Sequence, residues 1–301
     1  MRLHGFRYDL PFSHRATSAS PDSIAVALNQ AQRIPATRIA GESLAESHLK
    51  GLYFAVRTDP GDVVLRFPGI ADIRFDAPHR TVKVLVAAAH LDLAAPLFLG
   101  TGVAIHLGLT GRMPLHATTV SHAGSAYVVA GDSGSGKSSL AALLCRAGAH
   151  MMSEDVVRID VDEQGAVTYL GLPQIRLRDR AEWLADASWP TERAPDGRIE
   201  VTPPAARREP QPVGCVLFPR LVARGRVQLG RLSPREALQK LLAAPRVGWT
   251  AESFVRAQFT QFAAIGRSVA AYSVRVPLSE AIDPRSVGTE LLALLGSQPE
   301  G

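Results

Sequence analysis

Between residues 52 and 86 the chain alternates apolar and polar positions in short runs. Residues 52–56 and 63–67 are strand-like, Ile73 and Phe75 alternate with Asp72, Arg74 and Asp76, and Val82 and Val84 flank Lys83. Asp-Pro-Gly at 59–61 and Pro-Gly at 68–69 punctuate these runs, which predicts short strands joined by tight turns. The expectation is a small β-rich N-terminal portion extending to about residue 86.

The pattern then changes. Residues 115–120 and 126–130 are apolar and strand-like, a glycine-rich turn follows, and an alanine-leucine helix over 137–147 leads to a short strand ending near Met152. Strand, turn, helix, strand is a βαβ unit, so the expected class is α/β, with a mixed, largely parallel sheet flanked by helices. Further strands are expected at 156–159, 167–170 and 175–177. The segment 187–212 carries Pro190, Pro195, Pro203, Pro204, Pro210 and Pro212 among Arg193, Arg198, Arg207 and Arg208. It is expected to be a loop, either a solvated excursion or a lid closing over an anionic substrate. Beyond it, 213–218 is a buried strand candidate, and Ser233-Pro234-Arg235-Glu236 has capping-box spacing with proline at the first helical position. Val255, Phe259 and Phe262 recur at helical spacing as expected core, and a strand over 272–276 and a helix over 283–295 close the chain. The division expected is 1–110 for the β-rich portion with a connecting helix and 111–301 for the catalytic core.

Composition narrows the class. With 301 residues, 46% hydrophobic and 20% charged, and a mean hydropathy of +0.06, the chain is no disordered or fibrous protein. Cys145 and Cys215 lie far apart and are expected to be core thiols in a reducing compartment, not a disulfide framework. The net charge of +5, spread along the chain, suits an anionic ligand and lacks the stripe of a nucleic-acid binder. Charges at Arg2, Arg7 and Asp9 interrupt the first residues, so no signal peptide is expected. The uncharged stretch 93–111 contains Pro96, Gly100, Gly102, His106, Gly108 and Gly111, and is expected to be a buried helix and turn. A cytoplasmic protein with no membrane or nucleic-acid partner is therefore expected; a homo-oligomer is allowed.

One segment carries chemistry. Gly131-Asp132-Ser133-Gly134-Ser135-Gly136-Lys137-Ser138 fits G-x-x-x-x-G-K-[ST], with an apolar strand before it and a helix-forming run from Ser139 after it. Glycines at 131, 134 and 136 let successive N–H groups face one concavity, which with the helix N-terminus makes an anion site. Residues 131–139 are expected to bind a nucleotide, with Lys137 on the β- and γ-phosphates and the Ser138 hydroxyl on Mg²⁺.

Glu154 and Asp155 follow the apolar Met151-Met152, which places two acids at the carboxyl end of a strand beside the glycine loop. Neighbouring strand residues face opposite ways, so the acids are expected to divide the work. One assignment gives Asp155 to the metal and Glu154 to the attacking hydroxyl as base; the reverse fits nearly as well. His116 lies on the strand candidate before the glycine-loop strand, where it is either a structural residue or a group reaching the transferred phosphate.

The order of these motifs resembles the HPr serine kinase/phosphorylase family: PLHATTV, then AYVVAGDSGSGKSSLAALLCRAG, then MMSEDVVRID. GLPQIRL and VGCVLFPRL are similar to segments of the shorter HPr-kinase-related bacterial kinases, including those found with lasso-peptide biosynthesis. The resemblance covers roughly residues 114–221. It implies ATP-dependent phosphorylation of a serine on a protein or peptide, such as an HPr-like protein or a ribosomal peptide precursor, with His116, the glycine loop and the acids in the site. Glu154 stands where the family usually has aspartate, and no E-x-R-G signature occurs between Asp160 and Arg180, so reversal of the reaction is not expected. Two other functions fit a bare glycine loop: a kinase of small hydroxylated molecules, and a nucleotide-driven switch or ATPase in a multiprotein system.

Overall fold

The computed structural model describes residues 1–10, 23–47, 53–58, 61–194 and 197–297. Leu52 and Pro195, placed above in a strand and in the proline-rich segment, lie outside them. Two compact units divide the chain: Met1–Pro114 with Arg246–Thr260, and Leu115–Pro245 with Gln261–Gly301. The return of residues 246–260 to the first unit is invisible in the local pattern.

The first unit is an eight-stranded sheet. Its strands are β1 (Arg2–Leu3), β2 (Phe6–Asp9), β3 (Ser23–Ala31), β4 (Glu42–Ser47), β5 (Tyr53–Arg57), β6 (Val63–Phe67), β7 (Ala71–Phe75) and β8 (Thr81–Ala87), in the order β1-β2-β3-β8-β7-β6-β5-β4. The runs over 53–87 form the antiparallel meander that their alternation demands: Phe75, Ile73, Val82 and Val84 are buried and Arg74 and Lys83 are exposed. On the other face, which also carries Arg74, the buried Arg66 makes two 2.7 Å hydrogen bonds to the buried Asp72 carboxylate, a pairing that lets both charges leave water.

After β8 the chain winds through Ala88–Leu93, α1 (Ala94–Leu97), a π turn at Phe98–Gly102 and α2 (Val103–Leu109). This run of 22 residues is long and apolar enough to cross a membrane by length and composition. Its second half is buried within the unit, where His106 bonds Tyr8 Oη at 2.7 Å and the His79 carbonyl at 3.1 Å and stacks on Phe75. Burial pushes the His106 pKa down to about 4, which makes it a neutral core residue.

The second unit carries the glycine loop. Its main sheet runs β11-β9-β10-β17-β19-β18, formed by β9 (Ala117–His122), β10 (Ser125–Ala130), β11 (His150–Glu154), β17 (Gln211–Val222), β18 (Gln228–Leu232) and β19 (Ala270–Pro277). A hairpin of β12 (Ile159–Asp162) and β13 (Gly165–Thr168) adds to the start of β17. The unit is mixed α/β. Strands β10, β11, β17 and β19 point the same way, but only β10·β17 and β17·β19 are adjacent parallel pairs, because β9 inserts antiparallel between β10 and β11. The parallel component is thus confined to the sheet centre.

Helix α3 (Lys137–Arg146) and α6 (Pro284–Gly296) cover one face, with Leu140, Leu143 and Leu144 buried against Val120, Val129, Leu217 and Val274. The two helices approach closely: a Cβ on Gly288 would stand 2.1 Å from the Leu143 carbonyl oxygen. The opposite face carries α4 (Pro234–Ala243), which opens with the expected capping box of Ser233 and Glu236, and Lys240 stands 5.7 Å over the Phe218 ring. Cys145 and Cys215 are buried free thiols pushed up to about 12 by desolvation.

Two sequence expectations are corrected. Among its described residues, 187–212 is not simply a loop: β16 (Ile199–Val201) pairs with β14 (Ile175–Leu177) on one side and with β15 (Thr191–Arg193) on the other, and Trp189, Ile199 and Val201 join the core. Pro190 precedes one strand and Pro203-Pro204 follow the other, so these three bound strands without interrupting them, while Pro212 stands second in β17. The second correction concerns α5 (Glu252–Ser268), where Phe262 is fully buried but Val255 and Phe259 are 46% and 51% exposed.

Candidate functional site

The site lies at the carboxyl ends of β10 and β11. Strand β10 ends at Ala130, and Gly131, Gly134 and Gly136 all take positive φ before α3 begins at Lys137. Gly136 is the most constrained, since φ is 101° and a Cβ there would meet Leu221 Cδ1 at 2.6 Å. Asp132 and Ser133 are exposed at the tip, and Ser139 is half-buried in the first turn of the helix. The Ser135 Oγ is buried with no hydrogen-bond partner among the described residues.

Lys137 is 8% exposed and folds back on the loop, its Nζ donating to the Gly131 carbonyl at 2.7 Å and the Asp132 carbonyl at 2.9 Å. Burial pulls its pKa down to about 8, against the opposing charges of Asp155, Glu154 and Asp132. The ammonium is therefore poised over the concavity, held only by uncharged acceptors that an anion can outbid.

The acids divide as strand geometry requires. Thr118 on β9 lies opposite Glu154 and, on its other side, opposite Val129, so Glu154 faces α3. There Glu154 Oε1 accepts from the Ser138 hydroxyl at 2.5 Å, and Oε2 accepts from the Arg176 backbone N–H at 2.5 Å. Burial raises its pKa to about 7; the two hydrogen bonds work against that shift and the charge of Asp155 adds to it. The Thr118 hydroxyl is buried and without a hydrogen-bond partner among the described residues.

Asp155 turns out of the strand. Its φ of 70° is a left-handed conformation, costly for most side chains and tolerated by aspartate. The turn brings Oδ1 to 3.0 Å from Nδ1 of His116, which sits in a bend immediately before β9. A carboxylate only accepts, so this contact needs the proton on Nδ1. Asp155 is 38% exposed and keeps access to an incoming group.

All sequence-derived site residues thus gather at one end of the sheet, and two pairs emerge within them: Ser138 with Glu154, and His116 with Asp155. Two further residues escaped the sequence reading. Arg176 caps Glu154 with its N–H while its Nε donates to Glu200 at 3.0 Å, and Arg178 Nη2 lies 3.8 Å from where a Gly134 Cβ would stand. Their signal was the alternation Arg176-Leu177-Arg178, in which the buried Leu177 puts both arginines on the side of the loop.

The donor set fits a nucleotide and a divalent cation. Loop amides at a helix N-terminus, a lysine held by neutral acceptors and an orphaned Ser135 hydroxyl suit phosphate oxygens, while a serine and a carboxylate in contact are hard oxygen ligands of the kind Mg²⁺ takes.

No family model matches the chain, and no curated protein matches it. Among solved structures it is similar to "Structure of the Hpr(Ser) kinase/phosphatase from Coxiella burnetii", at 9% identity and a TM-score of 0.33, over 60% of this chain and 95% of that one.

Proposed function

We propose that this protein is a phosphotransferase that moves the γ-phosphoryl group of ATP to a serine hydroxyl of a protein or peptide. The observation that carries the reading is the pair of contacts at the mouth of the glycine loop, Ser138 to Glu154 and His116 to Asp155. A loop built only to bind nucleotide needs the first; a second carboxylate oriented by a histidine and open to solvent is what a hydroxyl acceptor needs.

The roles follow from these contacts. Ser138 and Glu154 would hold Mg²⁺, which supplies charge neutralisation on the phosphate oxygens. Lys137 exchanges its two loop carbonyls for the phosphates, and the amides of 131–138 bind the remaining charge. Asp155 takes the proton of the acceptor hydroxyl as its oxygen bonds to phosphorus and the bond from phosphorus to the ADP oxygen breaks. His116, donating from Nδ1, fixes the carboxylate that receives that proton. This reading exchanges the two acid roles first considered from sequence, because Glu154 and not Asp155 touches Ser138. The lasso-peptide precursor and the HPr-like protein remain the candidate acceptors that the motif resemblance suggests.

Incubation with γ-labelled ATP, Mg²⁺ and candidate proteins and peptides, followed by mass spectrometry, tests the reading. The expected product is a phosphoserine that Lys137→Ala no longer forms, with an unchanged circular dichroism spectrum. Transfer at the original rate by Lys137→Ala, label only in small metabolites, or acceptor-independent hydrolysis alone would overturn it.

A further inference from the structure

Strands β17, β18 and β19 assemble an arginine cluster that sequence order disguises. Arg220 and Arg275 are cross-strand neighbours in the β17·β19 register, and Arg275 Nη2 reaches to 4.0 Å of the position a Gly225 Cβ would take, in the turn that carries Arg224 and Arg226. All four are exposed, and none forms an ion pair with an aspartate or glutamate among the described residues. Between Glu209 and Glu236 the chain has Arg220, Arg224, Arg226, Arg231 and Arg235 and no acid. Lys240, over Phe218 on the face that also carries Arg220, adds a further positive charge.

Like charges set side by side on adjacent strands destabilise a sheet, and no carboxylate among the described residues pairs with these four to offset that cost. Leu221, next to Arg220 but on the other face of the same strand, is the residue packed against Gly136, so the strand that carries the cluster also walls the glycine loop. We infer that Arg220, Arg224, Arg226 and Arg275 dock an acidic segment of the polypeptide that carries the acceptor serine. This rests on the phosphotransferase reading for the acceptor's role, while the charge argument stands by itself. The neighbouring aromatic rings, Phe218 and Tyr272, are 6% and 2% exposed, so the surface offers no platform for stacking bases, which favours a peptide over single-stranded nucleic acid.

The test uses the full chain and a fluorescein-labelled synthetic peptide of mixed Glu, Asp and Ser, read by fluorescence anisotropy against a Gln, Asn and Ser peptide of equal length. The acidic peptide is expected to bind more tightly, with affinity falling as salt rises. The combined variant Arg220→Gln, Arg224→Gln, Arg226→Gln, Arg275→Gln is expected to weaken it by about tenfold, four exposed charges each contributing a fraction of that. ATP affinity of the variant, measured in parallel, is expected to stay within about twofold, since no residue of the loop is altered. Equal binding of both peptides, no loss in the variant, or tighter binding of an oligothymidine than of the acidic peptide would overturn the inference. Arginine-dependent peptide binding by a protein that fails to bind ATP would leave this surface standing and remove the phosphotransferase reading instead.

Discussion

The Ser138 hydroxyl and the Glu154 carboxylate are joined across 2.5 Å, tying the first turn of α3 to the last residue of β11. The contact makes the glycine loop and the acidic strand one unit of chemistry, and it has a consequence for pH. With a pKa raised to about 7 by burial, Glu154 holds a proton below neutrality that a divalent cation must displace. Mg²⁺ affinity is therefore expected to rise by about tenfold per pH unit up to pH 7 and to level above it. Calorimetric titration at pH 6, 7 and 8 measures the slope, and Glu154→Gln is expected to flatten it while weakening the cation.

Asp155 offers a separation of stability from chemistry. Asp155→Asn keeps a side chain that tolerates left-handed backbone and is expected to lower the transfer rate by about a hundredfold to ten-thousandfold, with nucleotide affinity little changed. Asp155→Gly also removes the carboxylate but relieves the positive φ, so its melting temperature is expected to equal or exceed the parent's. A glycine variant that melts well below the parent would show that the carboxylate supports the fold.

The approach of α6 to α3 depends on the missing side chain of Gly288. Gly288→Ala is expected to cost about 3 kcal/mol in urea unfolding, because its Cβ would meet the Leu143 carbonyl at 2.1 Å. Gly296→Ala, at the end of the same helix with nothing within 4 Å, is expected to be neutral or to stabilise by up to about 1 kcal/mol.

His106 makes the first unit sensitive to acid. Its folded pKa of about 4 lies below the usual 6.5, so the unfolded chain binds the extra proton, and stability is full above pH 6.5 and declines as pH falls toward 4. The decline attributable to this residue is on the order of 3 kcal/mol. His106→Gln removes it, so parent and variant melting curves are expected to converge between pH 7 and pH 4.5.

What the sequence disclosed was local. The alternation of 63–67 and 71–75 and the spacing of the glycine loop each depend on near neighbours, and the structure places strands and the loop where those patterns put them. The strands at 191–193 and 199–201 were hidden because each has only three residues and owes its place to a small sheet in which 199–201 lies between β14 and 191–193. Val255 and Phe259 show the converse, an apolar helical stripe that burial does not follow. In the site, the motif named every loop residue but could not show which acid meets Ser138; that depends on the β9·β11 register and on the left-handed turn at Asp155. Arg220 and Arg275 are 55 positions apart and become neighbours only through β17·β19 pairing.

Strand β11 has a further property. Main-chain groups that β9 does not use are taken by other segments: Met151 N–H donates to the Pro204 carbonyl and Met151 O accepts from Ala206, while Met152 O and Glu154 N–H bond Gly171 and Leu172. The strand that ends in Glu154 is thus sealed against strand addition. A second copy of the chain cannot extend the sheet at that side, and self-association through backbone pairing has to use another edge, leaving the carboxylates on a backbone braced from both flanks.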